Sequence, residues 1–253
     1  MKNNFYNQKS LANLYAKPNI KSEITTQILY GEEFKILKKK KNWIQIKTIY
    51  DNYIGFLKCN KNLNQAKRNT QKVYKLKTRI YKKIKNRFRI SSKFLYFASK
   101  ILPKNSNEKF VEFEKNKWVK KNDLKPIGYF EKDFSKILKL FLNTKYLWGG
   151  KTSDGIDCSA LVQIYFFFNN LYFPRDTKDQ IKFIRKTKKN RIYNKSKLLY
   201  WKGHVAISLN KFFLIHAYGP RKKVVIMRIN FAINLIQRTS KLKVKKISNI
   251  ENY

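Results

Sequence analysis

Cysteine, histidine and acid are all scarce in this chain of 253 residues, which holds two Cys, two His and 15 Asp+Glu against 58 Lys+Arg. Two cysteines cannot make a disulfide framework, so at least one is free to act as a working thiol. Apolar runs are short as well. None approaches the roughly 18 uninterrupted residues of a transmembrane helix, so no membrane span is expected. The first 20 residues, MKNNFYNQKSLANLYAKPNI, lack the apolar core of a signal peptide. The sequence therefore predicts a cytoplasmic protein whose mature chain starts near Met1.

The lack of acid leaves a net charge of +43. Such an excess usually marks a polyanion partner. Here it is spread along the whole chain and travels with Asn, Ile, Phe and Tyr. All of these, like Lys, have A/T-rich codons, so base composition accounts for the bias. Non-specific polyanion contact is expected, but nucleic-acid binding is not the primary role. The apolar fraction is 43%, with 16 Tyr, 19 Phe and 4 Trp, which supplies a real core and excludes a disordered chain.

Five short strands are expected in the first part: Leu11–Tyr15, Ile24–Leu29, Phe34–Leu37, Trp43–Ile49 and Tyr53–Leu57. Turns at Tyr30-Gly31-Glu32-Glu33 and Asp51-Asn52 separate some of them, and together they suggest a small barrel. Residues 71–126 read as a degenerate second copy, with strands at Val73–Tyr81, Phe94–Ala98, Phe110–Phe113 and Lys117–Lys120. The polar stretch Asn60–Thr70 reads as a linker. After Pro126 the pattern changes. Phe134, Ile137, Leu138 and Phe141 recur at helical spacing. A loop with Gly149, Gly150 and Gly155 leads to an apolar helix, Ser159–Asn170, and a further helix is expected over 177–186. Strands Leu198–Trp201, His204–Leu209, Phe212–Ala217 and Val224–Ile229 close the pattern. The fold class is α+β.

Cys158 stands where the Gly-containing loop meets the apolar helix. Helix-start N–H groups favour an anion and lower a thiol pKa. Cys59 has no such setting and reads as structural. His204 and His216 flank Leu209-Asn210-Lys211. A hairpin centred on residue 210 would pair 204 directly with 216 on one face. A thiol, a base and a residue that orients the base make a Cys–His–His triad. Two His with no carboxylate nearby do not make a zinc site, so no metal and no cofactor is expected.

These motifs carry a resemblance. Residues 146–180, YLWGGKTSDGIDCSALVQIYFFFNNLYFPRDTKDQ, resemble the nucleophile region of the NlpC/p60 family of cell-wall cysteine peptidases, and residues 200–216, YWKGHVAISLNKFFLIH, resemble its histidine region. The barrel segment, with Leu14, Ala16 and Pro18, "L-Y-G-E", "N-W-I-Q-I" and "Y-I-G-F-L", resembles a bacterial SH3-like domain. The resemblance implies a papain-like peptidase domain over 128–253, preceded by SH3-like β-barrels over 1–65 and 66–127. It implies the activity of a γ-D-glutamyl-L-diamino acid endopeptidase on peptidoglycan-derived peptides with a free N-terminal L-Ala.

In that frame Cys158 attacks, His204 moves the proton and His216 orients His204. Tyr146, Trp148, Asp157, Ser159, Asp176 and Thr177 are the implied substrate contacts, with Asp176 holding the free amine. Tyr146 OH and the Cys158 N–H are candidate oxyanion donors. Asp176 and Asp179 also fit a helix cap with its N3 partner, and Arg175 reads as a packing or ion-pair residue. Four carboxylates (Asp154, Asp157, Asp176 and Asp179) lie between 150 and 180 and none between 181 and 250, which suggests a local negative patch. The first barrel is expected to offer Glu32, Glu33 and Tyr53 to the same amine. Two departures stand out: Ala160 and Ser196-Lys197 occupy positions where the family usually has Gly and Gly-Asp. The competing readings are a wall- or polyanion-binding module with an inactive peptidase domain, and an amidase or acyltransferase on the same scaffold.

Overall fold

The computed structural model describes residues 4–58, 63–66, 68–184 and 196–250. The chain forms two compact units, Met1–Phe130 and Glu131–Tyr253. Cys59 lies outside the described residues.

In the first unit, strands β1 (Phe5–Tyr6), β2 (Leu11–Tyr15), β3 (Ile24–Leu29), β4 (Glu33–Lys40), β5 (Trp43–Thr48) and β6 (Ile54–Lys58) form one sheet in the order β1-β4-β5-β6-β2-β3. The alternation in β5 turns Ile44 and Ile46 inward, where they pack with Ala12, Leu14, Ile28, Phe34 and Leu57. Glu32, expected as an amine ligand, is buried, and its carboxylate accepts a 2.8 Å bond from the Leu29 N–H. It braces its own turn. Glu33 accepts a 3.3 Å bond from the Asn4 amide, and Tyr53 packs against the core of this sheet.

The same unit continues with β7 (Gln71–Val73), β8 (Lys77–Ile84), β9 (Arg87–Tyr96), β10 (Lys100–Ile101), β11 (Asn105–Ser106), β12 (Phe110–Glu114), β13 (Lys117–Lys120) and β14 (Leu124–Pro126). They make two sheets, β10-β7-β14 and β11-β12-β13-β8-β9. The middle strand expected at Phe94–Ala98 is the end of the much longer β9. Its first half carries exposed Arg87, Arg89 and Ile90, so no buried face announces it in the sequence. Tyr30, from the turn after β3, enters the second core beside Val73, Ile80, Leu95 and Phe113, and its OH donates 2.7 Å to Glu114. Beside it Gly31 has φ +78°, and an added Cβ there would run into the carbonyl of Lys100.

The second unit runs α1 (Phe134–Leu140), the short pair β15 (Lys151–Thr152) and β16 (Gly155–Ile156), α2 (Cys158–Phe168), α3 (Thr177–Phe183), β17 (Lys197–Trp201), β18 (His204–Ser208), β19 (Phe213–Tyr218), β20 (Lys223–Arg228), α4 (Ile229–Ser240) and β21 (Lys246–Asn249). The sheet order is β20-β19-β18-β17-β21. All eleven residues of α2 are buried, and the helix lies against α1, β18 and β19. α4 and β21 go beyond the expected elements. Ile229, Ala232 and Ile236 recur at helical spacing and pack on Leu199, Ala206 and Leu214 of the sheet, and β21 pairs with β17. Ser196 adopts φ +73°, a left-handed conformation that suits the family's glycine better than serine. No described helix is long and apolar enough to cross a membrane.

Gly31→Ala adds backbone strain and a steric conflict at once. We expect it to destabilise the first unit by about 2–6 kcal/mol, read as an earlier denaturant midpoint. An unchanged midpoint would contradict the close approach at Lys100.

Candidate active site

The start of α2 is organised by one carboxylate. Asp157 is the N-cap, and its Oδ1 accepts from Ala160 N at 2.8 Å, Ser159 Oγ at 3.0 Å and Arg175 at 3.0 Å. Its Oδ2 accepts from Arg175 at 2.6 Å and from Gly149 N at 3.0 Å. Arg175 also donates to Ser159 Oγ at 2.8 Å. Arg175, Asp157 and Ser159 are all buried. The ion-pair reading of Arg175 therefore stands. The side-chain polar atoms of Asp157 and Ser159 are committed to Arg175 and to the helix start. Ala160, in place of the family's usual Gly, is fully buried and keeps its N–H on the cap.

Cys158 follows directly as the first residue of α2, 5% exposed. Its sulfur lies 4.0 Å from the carbonyl of Gly203 and receives N–H contacts from Val205 and Ser159. Residues on both sides of His204 thus touch the thiol. Burial pushes the thiol up to about 12, and Asp157 adds to the rise, while the Val205 N–H, Arg175 and the Ser159 N–H act against it. The direction is opposite to the lowering expected of a helix start.

His204 and His216 meet: Nε2 of His204 lies 2.9 Å from Nδ1 of His216. The register differs from the expected one. Ile207 pairs with Ile215 and Ser208 with Leu214, so each pair sums to 422 and the two histidines are diagonal neighbours. Extended three pairs further, this register sets Tyr218 opposite His204. The Tyr218 ring lies 5.7 Å from that of His204 across the pair and, two residues along its own strand, stacks on His216 at 4.8 Å and 7°. With Nε2 engaged by His216, Nδ1 is the His204 nitrogen left for the thiol. Burial lowers His204 to about 4 and holds His216 well below the usual histidine range, with His204 adding to the second effect.

Tyr146 is half-buried. Burial, then Cys158 and Asp157, raise its phenol, which keeps it a protonated donor near the sulfur. Trp148 is 60% exposed, and Thr177 is buried at the start of α3. Asp176 is half-buried, and its side chain makes no cap hydrogen bond, so the expected capping role is not realised. Burial raises its carboxyl first, with Arg175 and Lys178 opposing. The expected negative patch is smaller than the sequence count suggests. Asp157 is neutralised by Arg175, and Asp179 lies 3.8 Å from Lys182.

Two predictions follow from this geometry. Arg175→Ala leaves the Asp157 charge buried and unpaired, a loss of about 3–5 kcal/mol. Thermal melts of the variant should show it, and a melt like that of the parent would refute the brace. The second concerns the only two histidines. Their folded pKa values lie below the unfolded value near 6.5, so protons favour the unfolded chain. Their contribution is intact above pH 6.5 and is lost as pH falls toward 4. Melting temperature should drop between pH 7 and pH 5, and the drop should be smaller in a His204→Gln/His216→Gln protein.

Comparison with known proteins gives matches for both units. Residues 143–239 match the NlpC/P60 family, and residues 14–61 match the bacterial dipeptidyl-peptidase Sh3 domain. The chain is 27% identical over 232 residues to dipeptidyl-peptidase 6 of Lysinibacillus sphaericus, covering 82% of this chain and 84% of that protein. It is 25% identical over 172 residues to gamma-D-glutamyl-L-lysine dipeptidyl-peptidase of Bacillus subtilis (strain 168), covering 63% of this chain and 58% of that one. In fold it is similar to the crystal structure of an NlpC/P60 family protein from Bacillus cereus, with TM-score 0.75, 18% identity and coverage of 90% and 94%. It is also similar to an NlpC/P60 endopeptidase from Photobacterium damselae subsp. piscicida, with TM-score 0.63, 12% identity and coverage of 98% and 73%.

Proposed function

Starting from an NlpC/P60 cysteine-peptidase domain at 143–239 behind a bacterial dipeptidyl-peptidase Sh3 domain at 14–61, we propose that this protein hydrolyses peptidoglycan stem peptides at the bond between γ-D-Glu and the diamino acid. The substrates are released peptides with a free N-terminal L-Ala, consistent with a cytoplasmic role in recycling wall peptides. Residues 66–127 form a second, degenerate SH3-like barrel in this reading.

The observation that carries the reading is the convergence at one sulfur. Gly203 and Val205 touch Cys158, and His204 between them is held by His216 at 2.9 Å. At neutral pH the thiol and imidazole are both neutral, because burial raises one and lowers the other. Attack therefore couples to proton transfer. The sulfur adds to the scissile carbonyl as its proton passes to His204 Nδ1, and the imidazolium then protonates the leaving amine. Water cleaves the thioester with His204 as base. His216 fixes the ring of His204, and Tyr146 OH supplies an oxyanion donor. Asp176 receives the substrate ammonium.

The test is incubation of the pure protein with L-Ala-γ-D-Glu-diaminopimelate, with L-Ala-D-Glu sought by mass spectrometry. Cys158→Ala and His204→Ala should abolish turnover, while His216→Ala should lower it less. Asp176→Asn removes a charge-assisted contact worth roughly 1.5–3 kcal/mol, so kcat/KM for the free peptide should fall on the order of tenfold to a hundredfold. N-acetylated substrate should be poor for the parent protein and little affected by the substitution. Equal cleavage of free and acetylated peptides would remove the amine pocket.

A further inference from the structure

The two imidazoles sit among rings and not among charges. Tyr218 stacks on His216 at 4.8 Å and 7°, and its centroid lies 5.7 Å from that of His204. Trp201, paired with His204 across the hairpin, lies 5.5 Å from it at 42°. Tyr218 and Trp201 are both buried. The Tyr218 hydroxyl and Nε2 of His216 are buried without a hydrogen-bond partner among the described residues. It is therefore the Tyr218 ring that meets the pair, and no acceptor stands behind His216. The charges nearby are engaged elsewhere. At the start of α2 the Cys158 thiol is neutral and Asp157 is paired with Arg175. Tyr146 stays a protonated phenol. Lys223 of β20, opposite Tyr218 in the ladder, donates to Asn143 at 3.2 Å on the surface. α4 contributes Ile229, Ala232 and Ile236 to the core around Tyr218. Residues 181–250, which include the whole sheet, hold no carboxylate. Burial alone shifts His204, with no charged neighbour acting on it.

The proposed reaction puts a positive charge at this place. The S–H bond of Cys158 breaks as its proton goes to His204 Nδ1. The sulfur electron pair forms the bond to the carbonyl carbon, and the carbonyl oxygen takes the negative charge. His204 is then an imidazolium whose Nε2–H donates to His216 Nδ1, so the charge is shared by the pair. An aromatic face attracts a cation within about 6 Å of its centroid, most strongly where water is excluded. We propose that Tyr218 is a positioning residue for this reaction: its ring, stacked on His216 and beside His204, holds the histidine pair and stabilises its charged form where a carboxylate is lacking. This inference rests on the cysteine-peptidase reading above.

The test varies the electron density of the ring while keeping its shape. Phenylalanine, difluorophenylalanine and pentafluorophenylalanine are placed in turn at position 218 of the full-length protein. Tyr218→Phe should behave as the parent, because the hydroxyl has no partner. With L-Ala-γ-D-Glu-diaminopimelate, kcat should fall stepwise with fluorination, on the order of tenfold for the pentafluoro ring, with KM little changed. The acid limb of the kcat/KM profile should move to lower pH as the imidazolium loses support. A ring that only fills space would give the same kcat and the same limb throughout, and loosened packing would admit water and move the limb to higher pH. Either result overturns the proposal. NMR titration of the two histidines in full-length Cys158→Ala protein carrying the same substitutions reads the pair without turnover. If the parent cleaves no stem peptide, the hydrolase reading fails, yet midpoints that fall with fluorination would still uphold the action of the ring. Equal midpoints across the series would remove it.

Discussion

The buried pair between Asp157 and Arg175 is the contact on which the C-terminal unit depends. Taking two charges out of water costs several kcal/mol per ion, and only good geometry with full hydrogen bonding recovers it. Here both oxygens of Asp157 are occupied, by Arg175, Ser159 Oγ and the N–H groups of Ala160 and Gly149. One carboxylate therefore ties together the glycine loop, the first turn of α2 and the Pro174–Asp176 segment. Each of these pieces carries a residue of the proposed chemistry: Trp148, Cys158 and Asp176. Arg175 reinforces the same junction through Ser159 Oγ and the Gly150 carbonyl.

Burial also decides the chemistry of the thiol. A helix start favours a nearby anion by at most about 2 kcal/mol. The rise of Cys158 from 9.0 to about 12 corresponds to roughly 4 kcal/mol against the thiolate. Desolvation wins, so the resting site is uncharged at both Cys158 and His204. A neutral site is quiet toward adventitious electrophiles, and it gains its nucleophile only as a carbonyl arrives to share the negative charge. His216 then acts mainly through geometry. It holds His204 by one nitrogen and is itself held by the stacked ring of Tyr218.

In the N-terminal unit burial likewise acts on polar side chains. A glutamate on a turn reads as a surface ligand, but Glu32 is drawn inward because the Leu29 N–H behind it would otherwise lack a partner. Tyr30 does similar work with its ring, filling the core of the second set of strands and reaching Glu114. The exposed half of β9 was not legible, since alternation marks a strand only when one face is buried.

The sequence by itself determined the local units. Helical spacing placed α1, an apolar run after the glycine loop placed α2, alternation placed β5, and the chemistry of Cys158, His204 and His216 stood out because thiols and imidazoles are so rare in this chain. α4 was not expected, although Ile229, Ala232 and Ile236 recur at a helical spacing that could have marked it. What tertiary structure alone decided was pairing. A shift of two in the hairpin register made the histidines diagonal and brought in Tyr218. Arg175 claimed Asp157 and Ser159, and burial set the protonation of the thiol and the imidazoles. Period and composition are properties of neighbours along the chain. Register, ion pairing and desolvation depend on which distant atoms share a place from which water is excluded, and only the folded chain specifies that.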